Sequence, residues 1–142
     1  MALPDPKPGL VINYSYLWRQ EALRGQDEGR KDRPCVIILT VQQIEGELVI
    51  TVAPITHSPP TSSDMAIELP SRVKQHLRLD DQRSWVVTSE VNRFTWPGSD
   101  LRPVTRKQPN AFSFGFVPGD LLRKIRDQIR DRRAISVTSH DA

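Results

Sequence analysis

The sequence has 142 residues, a length that supports one hydrophobic core and excludes two full domains. Its 37% hydrophobic and 26% charged residues are typical of a globular protein, and no apolar run approaches the roughly 20 residues that cross a bilayer. The amino terminus lacks the basic and apolar regions of a secretion signal, and Cys35 is the single cysteine. We therefore expect a soluble, cytoplasmic protein without an internal disulfide and without a membrane partner.

The charge is unevenly distributed along the chain. Residues 1–70 carry 6 basic and 9 acidic side chains, whereas residues 71–142 carry 14 basic and 8 acidic ones. The second half is thus positive although the net charge is only +3. Such asymmetry permits a polyanion to bind one side of the protein but does not by itself indicate nucleic acid.

The first third of the chain predicts an arm, a strand and a loop. Prolines at positions 4, 6 and 8 favour an extended arm over residues 1–8, before a single domain that we expect to span residues 9–131. Residues 10–18 are rich in β-branched and aromatic side chains and predict a strand. Residues 19–33 are almost all polar and predict a long surface loop.

A hairpin follows. The apolar runs 35–41 and 48–55 predict two strands joined by a turn at Gly46. Residues 56–63 are turn formers that include Pro59 and Pro60, and residues 65–69 predict a short strand.

The remainder of the chain predicts two helices and further short strands. Pro70 opens a short helix that reaches about Leu79 and ends at Asp80-Asp81. Residues 85–88 and 91–96 predict one strand or two strands joined by a bend, and residues 112–116 predict a final short strand. An apolar stripe at Leu121, Leu122, Ile125 and Ile129 predicts a C-terminal helix, and residues 132–142 are predicted to be a disordered tail.

This pattern predicts a mostly β protein with a C-terminal α-helix, built as a strongly bent antiparallel sheet or a partly closed barrel. The sequence contains no Cys/His set with zinc spacing, no glycine-rich phosphate loop and no Gly-x-Ser-x-Gly elbow. We therefore expect no metal and no cofactor. Candidate functional side chains are the Arg, Thr, His, Ser and Glu residues in loops at strand ends.

Several separated segments resemble the PemK/MazF toxins and occur in that family's order: Pro8-Gly9 before a strand, Arg33-Pro34 before a buried strand, the 52–56 segment ending in Thr56, the 90–96 segment, and 115–118 leading into the last helix. The resemblance covers about residues 8–131. It implies an SH3-like barrel of the PemK/MazF/CcdB toxin type, usually a homodimer. It also implies a toxin of a type II toxin–antitoxin system that cleaves single-stranded RNA without metal and binds a cognate antitoxin protein.

The resemblance also proposes catalytic residues, namely Arg33, Thr56, Glu90, Arg93 and, in reserve, His57. Arg33 would bind the phosphate, and Thr56 would donate a hydrogen bond to the phosphate or the 2′-oxygen. Glu90 and Arg93 depart from the family's Asp/Arg spacing, which leaves the general base and acid unassigned. Further RNA contacts are proposed for Ser58, Asn92 and Lys31.

Other interpretations stay open. Thr56 is also suited to cap a turn, and Glu90 and Arg93 to form a surface ion pair. The tryptophans and the 112–116 phenylalanines are suited to stack on bases, but aromatic residues at strand spacing more often fill a core. An alternative function is a non-catalytic SH3-like barrel that serves as a binding module, or a CcdB-like poison of DNA gyrase. The second is weakened because the chain ends in Thr-Ser-His-Asp-Ala rather than in the apolar, Trp-bearing end expected for that mode.

Overall fold

The computed structural model describes residues 3–25, 31–98, 100–105, 111–132 and 135–139. It is mostly β, with a helix near the C-terminal end. The elements in chain order are β1 Leu10–Tyr14, α1 Arg19–Leu23, β2 Arg33–Gln42, β3 Leu48–Thr56, β4 Ala66–Glu68, α2 Ser71–His76, β5 Trp85–Val87, β6 Glu90–Trp96, β7 Ser113–Phe116, α3 Gly119–Arg130 and β8 Ser136–Ser139.

The strands form one sheet in the order β4-β5-β3-β2-β1-β7, with β6 on β3 and β8 on β6. All pairs are antiparallel except β6 with β8, which is parallel. Within the described residues, no strand pairing joins the end strands β4 and β7, so the sheet is open along this path.

Strand β3 forks the sheet because it changes partner along one edge. Its first residues, Leu48 to Val52, pair with β6, whereas Ile55 and Thr56 pair with β5. Pro54 lies at the change of partner, where a residue without an N–H donor interrupts the fewest ladder hydrogen bonds. The other edge of β3 pairs with β2 throughout the predicted hairpin, which turns at Gly46 with a positive φ of 91°.

The sheet is covered on both faces by separate apolar clusters. On one face, α2 and α3 pack Val73, Leu77, Leu121 and Ile125 against Val36, Ile38, Ala53 and Ile55. The other face carries Ile12, Tyr14, Ile37, Ile50, Val52 and Phe94, with Tyr14 stacked on Phe94 at 4.6 Å between ring centroids. Each fully buried aliphatic side chain contributes about 1.5–3 kcal/mol, which makes these two layers the main source of stability.

Two predicted segments differ from the structure. The polar segment 19–33 contains the short helix α1, because the Glu21 carboxylate accepts a hydrogen bond from the Trp18 N–H at 3.0 Å and so caps the first turn. The tail predicted to be disordered contains β8, where Val137 and the preceding Ile135 are apolar residues that alternate with polar ones, a strand signal.

The N-terminal arm contacts strand β2. Residues 3–8 form no helix or strand, yet Pro6 is buried and its carbonyl accepts a hydrogen bond from the Thr40 hydroxyl at 2.6 Å. The predicted C-terminal helix is confirmed as α3. Among the described residues, no helix combines the length and the apolar character needed to cross a membrane.

Candidate functional site

A cleft of about 560 Å³ opens where β2 begins and β3 ends. The antiparallel register pairs Cys35 with Pro54, which brings Arg33 and Thr56 to the same edge of the sheet. Five of the predicted site residues line this cleft: Lys31, Arg33, Thr56, His57 and Ser58. The volume lies within the range of small-molecule and cofactor sites.

Arg33 presents a cation to the cleft and has no acidic partner among the described residues. Its guanidinium carbon lies 4.9 Å from the centroid of the Trp18 ring, a cation–π arrangement that fixes the side chain against one wall. Its Nε is buried and has no hydrogen-bond partner, and Arg33 forms no ion pair within the described ranges. Because an unpaired guanidinium is a bidentate donor, this wall is suited to bind a phosphate or carboxylate.

The two acidic residues of the cleft are both engaged with cations. Asp32 lies 3.7 Å from Arg102, and Asp80 contacts two basic side chains. Lys31 is exposed beside Arg33 and, in the part of the chain that the structure describes, is in no ion pair. Among the described lining residues, the cleft therefore carries positive charge on Lys31 and Arg33 that Asp32 and Asp80 do not neutralise.

Thr56 and Ser58 form a tight turn at the end of β3. The Ser58 backbone N–H donates to the Thr56 Oγ1 at 3.1 Å, as the turn-capping interpretation of this hydroxyl expects. Because the Thr56 oxygen acts as the acceptor, its own hydroxyl proton remains available to donate into the cleft. The two interpretations of Thr56 are thus compatible.

His57 is exposed at the end of β3, and its imidazole contacts Asp80. Its Nε2 lies 2.8 Å from the Asp80 Oδ2, and the other oxygen of Asp80 lies 3.1 Å from the buried Lys74 ammonium. Burial raises the pKa of Asp80, but the Lys74 hydrogen bond together with the His57 and Lys74 charges outweighs it, so the pKa lies below its ordinary value. Asp80 is therefore ionised at neutral pH.

Glu90 lies outside the lining of the cleft. Its Oε1 accepts hydrogen bonds from the Tyr16 hydroxyl at 3.1 Å and from the Arg19 N–H at 3.0 Å. Burial raises the pKa of the Glu90 carboxyl, and those two hydrogen bonds only partly oppose the effect. The predicted ion pair of Glu90 with Arg93 does not form, and Glu90 instead anchors the start of α1 to β6.

Asn92 and Arg93 are not brought to the cleft either. Asn92 is fully buried, and its amide both accepts from the Leu17 N–H at 2.8 Å and donates to the Leu17 carbonyl at 2.7 Å. Asn92 is therefore engaged with the backbone of Leu17 and does not line the cleft, and its proposed RNA contact stays a prediction. Arg93 is exposed on β6, between Thr51 of β3 and Ser139 of β8.

A smaller cavity of about 290 Å³ adjoins the cleft behind Trp18. It shares Trp18, Lys31 and Arg33 with the cleft and adds Tyr16 and Glu21. Among the described residues, no group of three His, Cys, Asp or Glu side chains is arranged to hold a metal ion.

Comparison with protein families, with characterised proteins and with solved structures finds no match. The geometry of the cleft is therefore the observation from which a function is inferred.

The sequence does not point to Asp80 or Lys74, and it leaves two roles open for Trp18. Asp80 marks the predicted end of a helix, Lys74 has no predicted role, and Trp18 is suited either to stack on bases or to fill the core. Asp80 is 23 positions from His57, so no local motif connects them, and only the packing of α2 beside the end of β3 brings them together. For Trp18, the adjoining polar segment was the available signal, since an aromatic residue at the border of a strand and a basic loop suits cation–π contact.

Proposed function

We propose that this protein is a toxin-type, metal-independent endoribonuclease that cleaves single-stranded RNA in the cleft between the start of β2 and the end of β3. One observation carries the proposal: the Arg33 guanidinium, which has no acidic partner among the described residues, and the His57 imidazole line the same cleft. An anion-binding group and a group that transfers protons near neutral pH are the two requirements of this chemistry.

In the proposed reaction, Arg33 binds the scissile phosphate and neutralises charge as the phosphorus becomes pentavalent. The Thr56 hydroxyl donates a hydrogen bond to a phosphate oxygen, and Lys31 adds a second positive charge. The 2′-oxygen of the ribose loses its proton and forms a bond to phosphorus while the bond to the 5′-oxygen breaks. The products are a 2′,3′-cyclic phosphate and a 5′-hydroxyl.

The shape of the site supports a flexible, single-stranded substrate. The cleft and the adjoining cavity meet at Trp18, whose ring edge contacts Tyr16 at 5.0 Å between centroids. Aromatic side chains beside a basic groove are typical of single-strand binding, because every base offers a face for stacking. A duplex would hold its bases away from such a recessed wall.

The proposal includes the remaining properties that the resemblance to PemK/MazF toxins implies. These are a sheet organised as an SH3-like barrel, assembly into a homodimer, inhibition by a cognate antitoxin protein and residence in the cytoplasm. Each is independent of the cleft geometry and requires its own test, beginning with the mass of the protein in solution.

The deciding experiment incubates the purified chain with a long single-stranded RNA in the presence of EDTA and maps cut sites and end chemistry. We expect discrete cuts with cyclic-phosphate ends and a loss of about 10²–10³-fold in kcat/KM for Arg33→Ala. Arg126→Ala on the exposed face of α3 is the matched control and should cleave like the parent.

Intact RNA would overturn the proposal and favour the non-catalytic binding module. In that event, inhibition of DNA gyrase by the purified chain would separate the CcdB-like alternative from a general binding role. Equal loss of activity in Arg33→Ala and Arg126→Ala would show that the cleft is not where RNA is cut.

A further inference from the structure

A buried cation beneath the cleft has no role in the reaction described so far. Lys74 lies on α2 with only 6% of its surface exposed, and its ammonium is 3.1 Å from the Asp80 Oδ1. The same oxygen accepts the Gln82 backbone N–H at 3.1 Å. A buried ammonium is unfavourable unless it is paired, so this arrangement requires Asp80 to remain a carboxylate.

The second oxygen of that carboxylate faces His57. The Asp80 Oδ2 lies 2.8 Å from the His57 Nε2, an ion-pair contact. At this distance an unprotonated Nε2 would set its lone pair against the carboxylate oxygen, which has no proton to donate, so the contact favours a proton on Nε2. Neutral His57 then has its lone pair on Nδ1, the atom that the carboxylate leaves free.

We propose that Asp80 is a positioning residue that holds His57 in the Nε2–H tautomer, with Nδ1 as the general base of the cleft, and that Lys74 fixes Asp80 in place. This inference rests on the proposed ribonuclease function. In the reaction, Nδ1 takes the proton of the 2′-hydroxyl as the bond from the 2′-oxygen to phosphorus forms. Solvent water protonates the departing 5′-oxygen, and His57 returns its proton to water.

The charges around His57 divide into two groups that act in opposite directions. Asp80, on the α2 side, stabilises the imidazolium that forms during proton transfer. Lys74 behind it, and Lys31 and Arg33 across the cleft, oppose that positive charge, while Asp32 is paired with Arg102. Among the described residues, Asp80 is the single carboxylate in ion-pair contact with His57, so replacing Asp80 removes the negative charge nearest to the imidazole.

The test compares Asp80→Asn with Asp81→Asn. The two positions are adjacent in one turn, and the same change of charge is made at both, but only Asp80 contacts His57. We expect Asp80→Asn to lower kcat by about 10²-fold or more with little change in KM, the size of a lost acid–base contribution. Asp81→Asn should leave both parameters unchanged.

A spectroscopic measurement provides a readout that does not depend on cleavage. The ¹⁵N chemical shifts of the His57 imidazole distinguish a protonated from an unprotonated ring nitrogen. We expect a protonated Nε2 and an unprotonated Nδ1 in the parent, and a mixture of tautomers in Asp80→Asn.

These outcomes separate the two proposals. Cleavage by the parent that is equally strong in Asp80→Asn overturns the positioning role and leaves the proposed function standing. If the parent cleaves no RNA, the proposed function fails. Independently of cleavage, an Nδ1–H tautomer of His57 in the parent overturns the assignment of Nδ1 as the general base. Should Asp80→Asn fail to fold because Lys74 loses its partner, the double variant Lys74→Met/Asp80→Asn removes both charges together and is measured in its place.

Discussion

Replacement of Asn92 by alanine isolates the energetic role of one buried amide. In the structure, this side chain satisfies both the N–H and the carbonyl of Leu17, with distances of 2.8 and 2.7 Å. Leu17 is itself buried, at 4% exposure, so water reaches neither backbone group without local opening. Alanine leaves one donor and one acceptor unsatisfied.

Each unsatisfied buried group costs about 1–3 kcal/mol, so for the two groups we expect Asn92→Ala to lower the free energy of unfolding by about 2–6 kcal/mol. At about 3–4 °C per kcal/mol for a chain of this size, the melting temperature should fall by roughly 6–24 °C. Urea unfolding followed by circular dichroism measures the change, and an unaltered m-value would confirm that the transition remains two-state.

Arg93→Ala is the control on the neighbouring residue. Its side chain is exposed on β6, and such surface substitutions usually change stability by less than about 0.5 kcal/mol. If Asn92→Ala and Arg93→Ala were equally mild, the reasoning that Asn92 holds the β1–α1 connection to β6 would be refuted.

Two further predictions concern the charge of Glu90 and the hairpin turn. Because burial raises the pKa of Glu90 above its unfolded value, its carboxyl favours the folded state at low pH, and that advantage is lost as the pH rises through the folded pKa. Glu90→Gln keeps an oxygen that accepts the hydrogen bonds from Tyr16 and Arg19 but has no titrating carboxyl. In urea titrations between pH 4 and 8, the stability of this variant relative to the parent should therefore increase with pH. A decrease would contradict the raised pKa of Glu90. Gly46→Ala should destabilise the protein by about 1 kcal/mol, because a φ of 91° is strained for any side chain even where the space is open. Gly119→Ala at the start of α3, also in open space but without a positive φ, should be neutral or slightly stabilising, and equal thermal shifts for the two variants would argue against backbone strain as the cause.

The parts of the fold that the sequence predicts well are those with a strong local signal. The hairpin of β2 and β3 is specified by two apolar runs about a glycine turn, and α3 by an apolar stripe of helical period. The same local signals place Arg33 at the start of β2 and Thr56 at the end of β3. Because these strands are antiparallel, the two positions lie side by side, and both residues line one cleft.

The parts that escaped prediction depend on tertiary packing. Asn92 follows Val91 on β6 and lies on the opposite face of the strand, yet both are buried while Arg93 is exposed, so alternation along the strand does not show that the polar Asn92 is buried. Asp80 contacts both His57 and Lys74 only because α2 packs beside the end of β3. Charged residues in turns and on helices are usually solvated, and no pattern in the sequence distinguishes the pair from that majority.

The fork at Pro54 has a mechanical consequence for the cleft. Arg33 belongs to the arm of the sheet that contains β1 and β2, whereas Thr56 and His57 continue into the arm that contains β4 and β5. Both walls of the cleft therefore attach to one strand, because β2 pairs with one edge of β3 and β5 pairs with the other edge at Ile55 and Thr56. The course of β3 sets how far apart the two walls lie. Pro54 is outside the lining of the cleft, so a substitution that changes the bend of β3 at Pro54 would act on the site without touching it.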